Sequence, residues 1–441
     1  MKLNYKRTFI TGLAFMSICA FWQLYDSIIP LMLRNTFQIS DSVSGVIMAL
    51  DNVIALFLLP LLGAISDRTN TKIGRRIPYV LVGTALAVVF MVLVPMLDNG
   101  YYETHATWMF VGFIVVLGLL LISMALYRSP AVALMPDITP KPLRSKANAV
   151  INLMGAVGGI IYLAISSVMF NKTEEHTDYQ MIFVIIGAIM VISVIALFIF
   201  IKEPECVAEV QKYEAEHPEE QLEKVDETTG KHYLPTEVKK SLGFILASIA
   251  LWFTGYNAIT TAFSKYATIE WGMTLGKANL CLTLGMGVAI ISYIPIGEVA
   301  SRIGRKLTII FGVLLLTVCF TAGYILTYAL NGYSPILLVV FAFIGIAWAS
   351  INVNSLPMVV EMCKDSDIGR YTGYYYTCSM AAQIVTPILS GILLQYVGYW
   401  TLFPYGAFFV FLSFITMLQV KHGDNKPSVP KSKLEMFDVD D

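Results

Sequence analysis

The stretch Leu59-Pro60-Leu61-Leu62-Gly63-Ala64-Ile65-Ser66-Asp67-Arg68 ends an apolar run on an acid and a base. After the polar residues 69–72 the chain resumes as Ile73-Gly74-Arg75-Arg76-Ile77-Pro78-Tyr79 and turns apolar again. The same junction returns as Gly297-Glu298-Val299-Ala300-Ser301-Arg302-Ile303-Gly304-Arg305-Lys306. Apolar runs joined by short basic loops, with one loop written twice, describe a chain that crosses a bilayer repeatedly and is built from two related halves. Composition agrees. Of 441 residues, 56% are hydrophobic and 14% charged, with a mean hydropathy of +0.68, whereas soluble domains run at about 45–50% and about 25%. The net charge of -1 offers no basic surface for nucleic acid.

A helix of about 20 apolar residues covers a ~30 Å hydrocarbon layer. Twelve such windows occur, at 9–33, 43–65, 79–97, 107–135, 147–170, 181–201, 242–263, 275–299, 307–329, 335–360, 371–396 and 402–420. With Met1 placed inside, 25 of the 30 Lys and Arg fall in loops on that side, four on the other (Arg34, Lys172, Lys265, Lys277), and Arg128 within a span. The asymmetry puts both termini in the cytoplasm of a multi-pass plasma-membrane protein. The first run is too long for a signal peptide, and no small-residue cleavage site follows it, so a retained helix is expected. Cys206 and Cys363 are expected on the cytoplasmic side and the other four cysteines within spans, with no C-x-x-C spacing.

Residues 202–240 are long, polar and rich in Glu, and divide six spans from six. This gives an N-terminal bundle (1–201), a solvated cytoplasmic linker with some helix (202–240), a C-terminal bundle (241–420) and a cytoplasmic tail (421–441). Span 1 carries Trp22 with Tyr25-Asp26, and span 7 carries Trp252 with Tyr256-Asn257 at nearly equal depth. After span 4 come Asp137 and Arg144; after span 10 come Glu361 and Arg370. The expected class is therefore an all-α membrane protein of twelve transmembrane helices in two pseudo-symmetric six-helix bundles.

In Gly63, Asp67, Arg68, Gly74, Arg75 and Arg76 the sequence resembles the major facilitator superfamily, whose signature is G-x-x-x-D-R/K-x-G-R/K-R/K between spans 2 and 3. The longer loop, with residues 69–72 before Ile73-Gly74, is similar to that of the sucrose/proton symporters and the related glycoside-pentoside-hexuronide cation symporters. Two departures stand out. The sucrose branch has an Arg two residues after the span-4 proline, where this chain has Val132 and instead carries Arg128 two residues before Pro130. The melibiose-type branch has acids at the position of Arg128 and on span 2, where this chain has Ala55 and Leu59, which favours a proton over sodium as coupling ion.

A lone charge near the bilayer centre costs about 2.5–3.5 kcal/mol on insertion scales, so Asp26, Asp51 and Arg128 each need a reason. One reading is a neutral structural group of Asp51-Asn52 with Arg128; the other makes Asp26 or Asp51 the carrier of a proton or cation. Sugars are held by aromatic faces and by amides and carboxylates. Trp22, Gln23, Tyr25, Asn52 and Arg128 in the first half, with Tyr256, Asn257, Trp348, Asn352 and Asn354 in the second, supply such a lining. They lie on spans 1, 2, 4, 7 and 10; spans 1, 4, 7 and 10 line the cavity in the facilitator fold. Asp67 among Arg68, Arg75 and Arg76, together with Gly63, Asp137 and Arg144, suits a latch of ion pairs that forms in one global state and breaks in the other. Gly297, Arg302, Arg305, Glu361 and Arg370 are its counterparts.

No phosphate loop is present, since Gly272 to Lys277 has the wrong spacing and no hydroxyl residue after the lysine. The five histidines lack metal-ligand spacing, and no soluble catalytic domain is visible. The expectation is a monomeric transporter without cofactor, coupled to a proton (or sodium) and carrying a glucoside or small oligosaccharide by alternating access. Export of amphipathic compounds or lipids is the alternative. A sugar sensor signalling through 202–240 is an alternative of another class.

Overall fold

The computed structural model describes residues 4–140, 143–170, 176–216, 236–329, 333–362 and 368–424. Among them no strand occurs, and twelve helices are long and apolar enough to cross a membrane. In lipid every backbone N–H and C=O must find a partner within its own segment, which leaves the helix as the form for such runs. The chain divides into two units, Met1–Gln221 and Leu222–Asp441. The first holds α1 (Tyr5–Asn35), α2 (Asp41–Arg68), α3 (Ile77–Thr104), α4 (Thr107–Asp137), α5 (Arg144–Met169), α6 (Gln180–Phe200) and the shorter, polar α7 (Glu203–Glu216). The second holds α8 (Thr236–Glu270), α9 (Leu275–Ile303), α10 (Arg305–Ala329), α11 (Ile336–Val360), α12 (Ile368–Tyr396), a 3-10 turn (Tyr399–Thr401) and α13 (Leu402–Leu418).

Helix starts follow local chemistry. Asn4 caps α1 by accepting the Arg7 N–H at 3.1 Å, and Thr274 caps α9 by accepting the Lys277 N–H at 3.4 Å. Pro78 sits in the first turn of α3, where its missing donor costs nothing. At 31 residues α1 is about 46 Å long, more than the hydrocarbon layer needs.

Within the first unit α1 packs on α5 and α6, α3 on α4 and α6, and α2 on α4. Within the second, α8 packs on α12 and α13, α10 on α11 and α13, and α9 on α11. Span for span these are the same five pairs, so the duplication seen in the loops extends to the packing. Phe21, Phe113 and Phe183 have no exposure in the first core; Trp252, Phe263 and Phe320 have none in the second. Large apolar side chains also remain outside, such as Phe57 (69% exposed) and Ile291 (74%), as suits helices whose outer faces meet lipid.

One expectation changes. The linker does not begin as a solvated segment: α7 buries Glu203, Cys206 and Val210 against the first unit, and Arg7 Nη2 reaches Glu209 Oε2 at 2.6 Å. Cys206 is buried by this packing, and burial raises its thiol pKa. Residues 217–235 and Cys363 lie outside the described residues. Trp252, placed like Trp22 by its spacing, belongs to the second core.

Candidate functional site

Helix α1 brings Trp22, Gln23, Tyr25 and Asp26 onto adjacent turns; Gln23 and Asp26 are half-buried. The Trp22 and Tyr25 rings meet edge to face with centroids 5.6 Å apart, as positions three apart on a helix allow. Neither the Trp22 indole N–H nor the Tyr25 hydroxyl has a hydrogen-bond partner, although both atoms are buried. On α2, Asn52 Nδ2 donates to Asp51 Oδ1 at 2.9 Å. From α4, the Arg128 guanidinium carbon stands 5.8 Å from the Trp22 ring centroid, within cation–π range. Asp51 lies in the electrostatic field of Arg128, and Asp26 in that of Asp51. Among the described residues Arg128 makes no ion pair and no hydrogen bond, so Asp51, Asn52 and Arg128 are joined by the Asn52–Asp51 hydrogen bond and by the electrostatic field of Arg128. Its five donors and the two orphaned donors on α1 are left for a ligand or water.

The second unit's polar set carries no charge. Tyr256 and Trp348 stack on one another, 3.7 Å apart and 3° from parallel, so one face of each ring is already covered. Phe253 meets Trp348 edge-on at 5.4 Å. Asn257 Nδ2 is buried without a partner. Asn352 and Asn354 are buried on α11, but Asn354 Nδ2 turns back to donate to the Ser350 carbonyl of its own helix at 2.9 Å. That bond commits Asn354 to the helix.

At the ends of α2, α3 and α4 five of the predicted latch residues of the first unit come together, Gly63, Asp67, Arg75, Arg76 and Asp137. Arg76, buried to 5%, donates from Nε to Asp137 Oδ2 at 2.9 Å and from Nη1 to the Gly63 carbonyl at 3.3 Å. It also bonds Ser66 and pairs with Asp67. Arg75 Nη2 reaches the other Asp137 oxygen at 2.6 Å, so one carboxylate serves two guanidinium groups. Arg68 is exposed and has no ion pair among the described residues. The side chain of Arg144 lies outside the described residues, and Asp137 is engaged by Arg75 and Arg76.

The sequence reading missed Glu203. This carboxylate, 1% exposed, accepts the backbone N–H groups of Arg75 (2.9 Å), Arg76 (3.0 Å) and Ile77 (3.0 Å). It sits where the unsatisfied donors and the dipole of the α3 N-terminus favour an anion. Gly74 makes room: its φ is +115°, and a Cβ there would stand 2.1 Å from Glu203 Oε2. The second unit repeats the device in weaker form. Gly304 has φ +101°, and Asp424 Oδ1 accepts the Lys306 N–H at 2.9 Å. Arg305 pairs with Glu361. Gly297 and Arg302 lie on α9, Arg302 exposed with no ion pair among the described residues, and the side chains of Ser301 and Arg370 lie outside them. One signal was available: each capping acid comes within a few residues after the last span of its half.

The comparisons with known proteins agree with this architecture. A family model described as Major Facilitator Superfamily matches residues 11–276 and 245–437. A stretch of 152 residues, 32% of this chain, is 29% identical to the sucrose transport protein SUC3 of Arabidopsis thaliana and spans only 25% of that protein's length. Among solved structures the chain is similar to the xylose transporter XylE from E. coli in an inward open conformation, with TM-score 0.70 and 12% identity. That similarity covers 98% of this chain and 99% of the other. The nucleoside transporter NupG is similar with TM-score 0.66 and 14% identity over 93% and 99%. At such identities the solved structures speak for the fold alone, and their substrates differ from each other.

Proposed function

Because the chain belongs to the major facilitator superfamily, we propose that this multi-pass membrane protein is a secondary active transporter that moves a glucoside or small oligosaccharide together with a proton. The observation that carries the reading is Arg128: a guanidinium in an apolar span, over the Trp22 ring, without an ion pair among the described residues and within the field of Asp51. A charge at that depth needs a use. A carboxyl group differs from its carboxylate by one proton, and a neighbouring guanidinium distinguishes the two states because it attracts only the anion. Asp51 is the first candidate for the coupling carboxylate and Asp26 the second, with Arg128 reporting their state and orienting substrate.

The neutral, hydroxylated substrate is supported by the aromatic and amide side chains that each unit carries. Within the first unit the half-buried Trp22 ring offers aromatic surface for a C–H face, and within the second the Tyr256–Trp348 stack does so. The unpartnered Trp22 N–H in the first unit and the unpartnered Asn257 amide in the second are donors of the kind that hydroxyl oxygens accept from. The partial likeness to a plant sucrose transport protein points the same way. Transport would proceed by alternating access, with the ion-pair clusters at the basic helix ends biasing the exchange between states. Placing those ends in the cytoplasm of the plasma membrane follows the charge count.

The reading is tested by uptake of labelled glucosides and disaccharides into proteoliposomes under an imposed pH gradient and, separately, a sodium gradient. Accumulation driven by the pH gradient is expected. Accumulation driven by sodium alone would replace the proton, and folded protein that moves none of the sugars would overturn the substrate class.

A further inference from the structure

Three consecutive residues of α4 reach in different directions, and Arg128 is the middle one. Before it, Tyr127 has no exposure; its hydroxyl donates to the Ala14 carbonyl of α1 at 3.1 Å and shares a hydrogen bond with Ser17 Oγ at 2.8 Å. Ser17 Oγ is itself 2.9 Å from the Ala14 carbonyl, so the two hydroxyls share that acceptor and each other in a small buried cluster between α1 and α4, with two hydrogens for its three short contacts. The backbone of Tyr127 is held from the other side by α3, where Gly83 approaches so closely that a Cβ would stand 2.6 Å from the Tyr127 nitrogen. After Arg128, Ser129 Oγ donates to the Leu59 carbonyl of α2 at 2.8 Å.

Arg128 itself has nothing comparable to fix it. Among the described residues its contact is the Trp22 ring, five residues along α1 from Ser17. An arginine with several rotatable bonds and no hydrogen bond keeps a direction only if its backbone is held, and a buried polar cluster is the kind of contact that specifies one arrangement. We infer that Tyr127 is a positioning residue: by tying α4 to α1 through Ser17 and the Ala14 carbonyl, it holds the Arg128 guanidinium over Trp22. The inference rests on the transporter reading only for its effect on uptake. Its geometric content stands without any substrate.

The test reads both. In full-length protein labelled with 5-fluorotryptophan, the Trp22 fluorine resonance is identified by its loss in Trp22→Phe. Arg128→Lys shifts that resonance by changing the cation over the ring. Tyr127→Phe, which removes one oxygen, is expected to shift it too, and to add nothing in the Arg128→Lys background, because a residue acting through Arg128 has no effect once Arg128 is replaced. Ser17→Ala breaks the same cluster from α1 and takes over if Tyr127→Phe does not fold. An unchanged Trp22 resonance, or shifts that simply add in the double variant, would overturn the inference. Where a transported sugar is in hand, loss of one positioning hydrogen bond should raise its KM by about fivefold with kcat kept. If no sugar is transported by the unmodified protein, the proposed substrate fails while the fluorine shifts still decide the role of Tyr127.

Discussion

The two units pack the same five pairs of helices, yet Asp26, Asp51 and Arg128 stand on α1, α2 and α4 of the first. The second unit puts aromatic rings and amides at the corresponding places, with Tyr256-Asn257 where the first has Tyr25-Asp26. Their basic ends differ in the same sense. Arg76 is buried among Ser66, Asp67 and Asp137 below a helix end capped by buried Glu203, whereas Arg305 pairs with Glu361 below a helix end capped by exposed Asp424. A duplicated fold has kept its packing and divided its chemistry: Asp26, Asp51, Arg128 and the stronger latch in one unit, stacked rings and amides in the other.

Neutralising the latch acids tests that division most severely. Asp137→Asn takes from Arg75 and Arg76 their shared anion, leaving buried Arg76 with Asp67, and should cost about 2 kcal/mol. Glu361→Gln should cost about half of that, since it breaks a single, less enclosed pair. Thermal unfolding in detergent compares the two; equal losses would mean that the latches are equivalent.

Next comes the proposed division between substrate and ion. Trp348→Ala removes a stacked ring from the neutral half and should raise the KM for sugar about tenfold, while the accumulation ratio at saturating sugar stays as it was. A fall in that ratio with unchanged KM would place coupling in the second half as well.

The capping acids give the smallest effects and the sharpest contrast. Glu203→Gln should destabilise by about 1–2 kcal/mol, because a buried anion at a helix N-terminus loses its charge. Asp424→Asn should leave the unfolding midpoint unchanged. Glu203 opens α7, which buries Cys206 and raises its thiol pKa. Loosening α7 would lower that pKa and increase the reactive thiolate at neutral pH. Maleimide labelling of Cys206, followed by peptide mapping, should therefore accelerate in Glu203→Gln and not in Asp424→Asn.

How much was legible follows from how local each signal is. Spans are local: twenty apolar residues in a row state their environment, and all twelve are present. The duplicated loop is nearly local, and residues within some seventy positions, from Gly63 to Asp137, come together as its motif suggests. Glu203 was not legible, because its partners lie more than 120 residues earlier and a run of acids after a span reads as solvated until the fold brings it beneath α3. Spacing alone also could not separate Trp22, at the edge of a polar cluster, from Trp252, inside a core. The difference lies in what packs against each helix. Asn354 shows a related limit of spacing: an amide in a span can satisfy itself on its own backbone, and the Asn354 Nδ2 does.

The most direct test of the account is a comparison of net accumulation with exchange in Asp51→Asn. Proteoliposomes preloaded with unlabelled sugar report exchange, and empty ones under a pH gradient report accumulation. If Asp51 carries the coupling proton, accumulation is lost while exchange persists, since the neutral amide imitates the protonated acid but cannot release a proton. Accumulation at the level of the unmodified protein would contradict the assignment of coupling to this carboxylate.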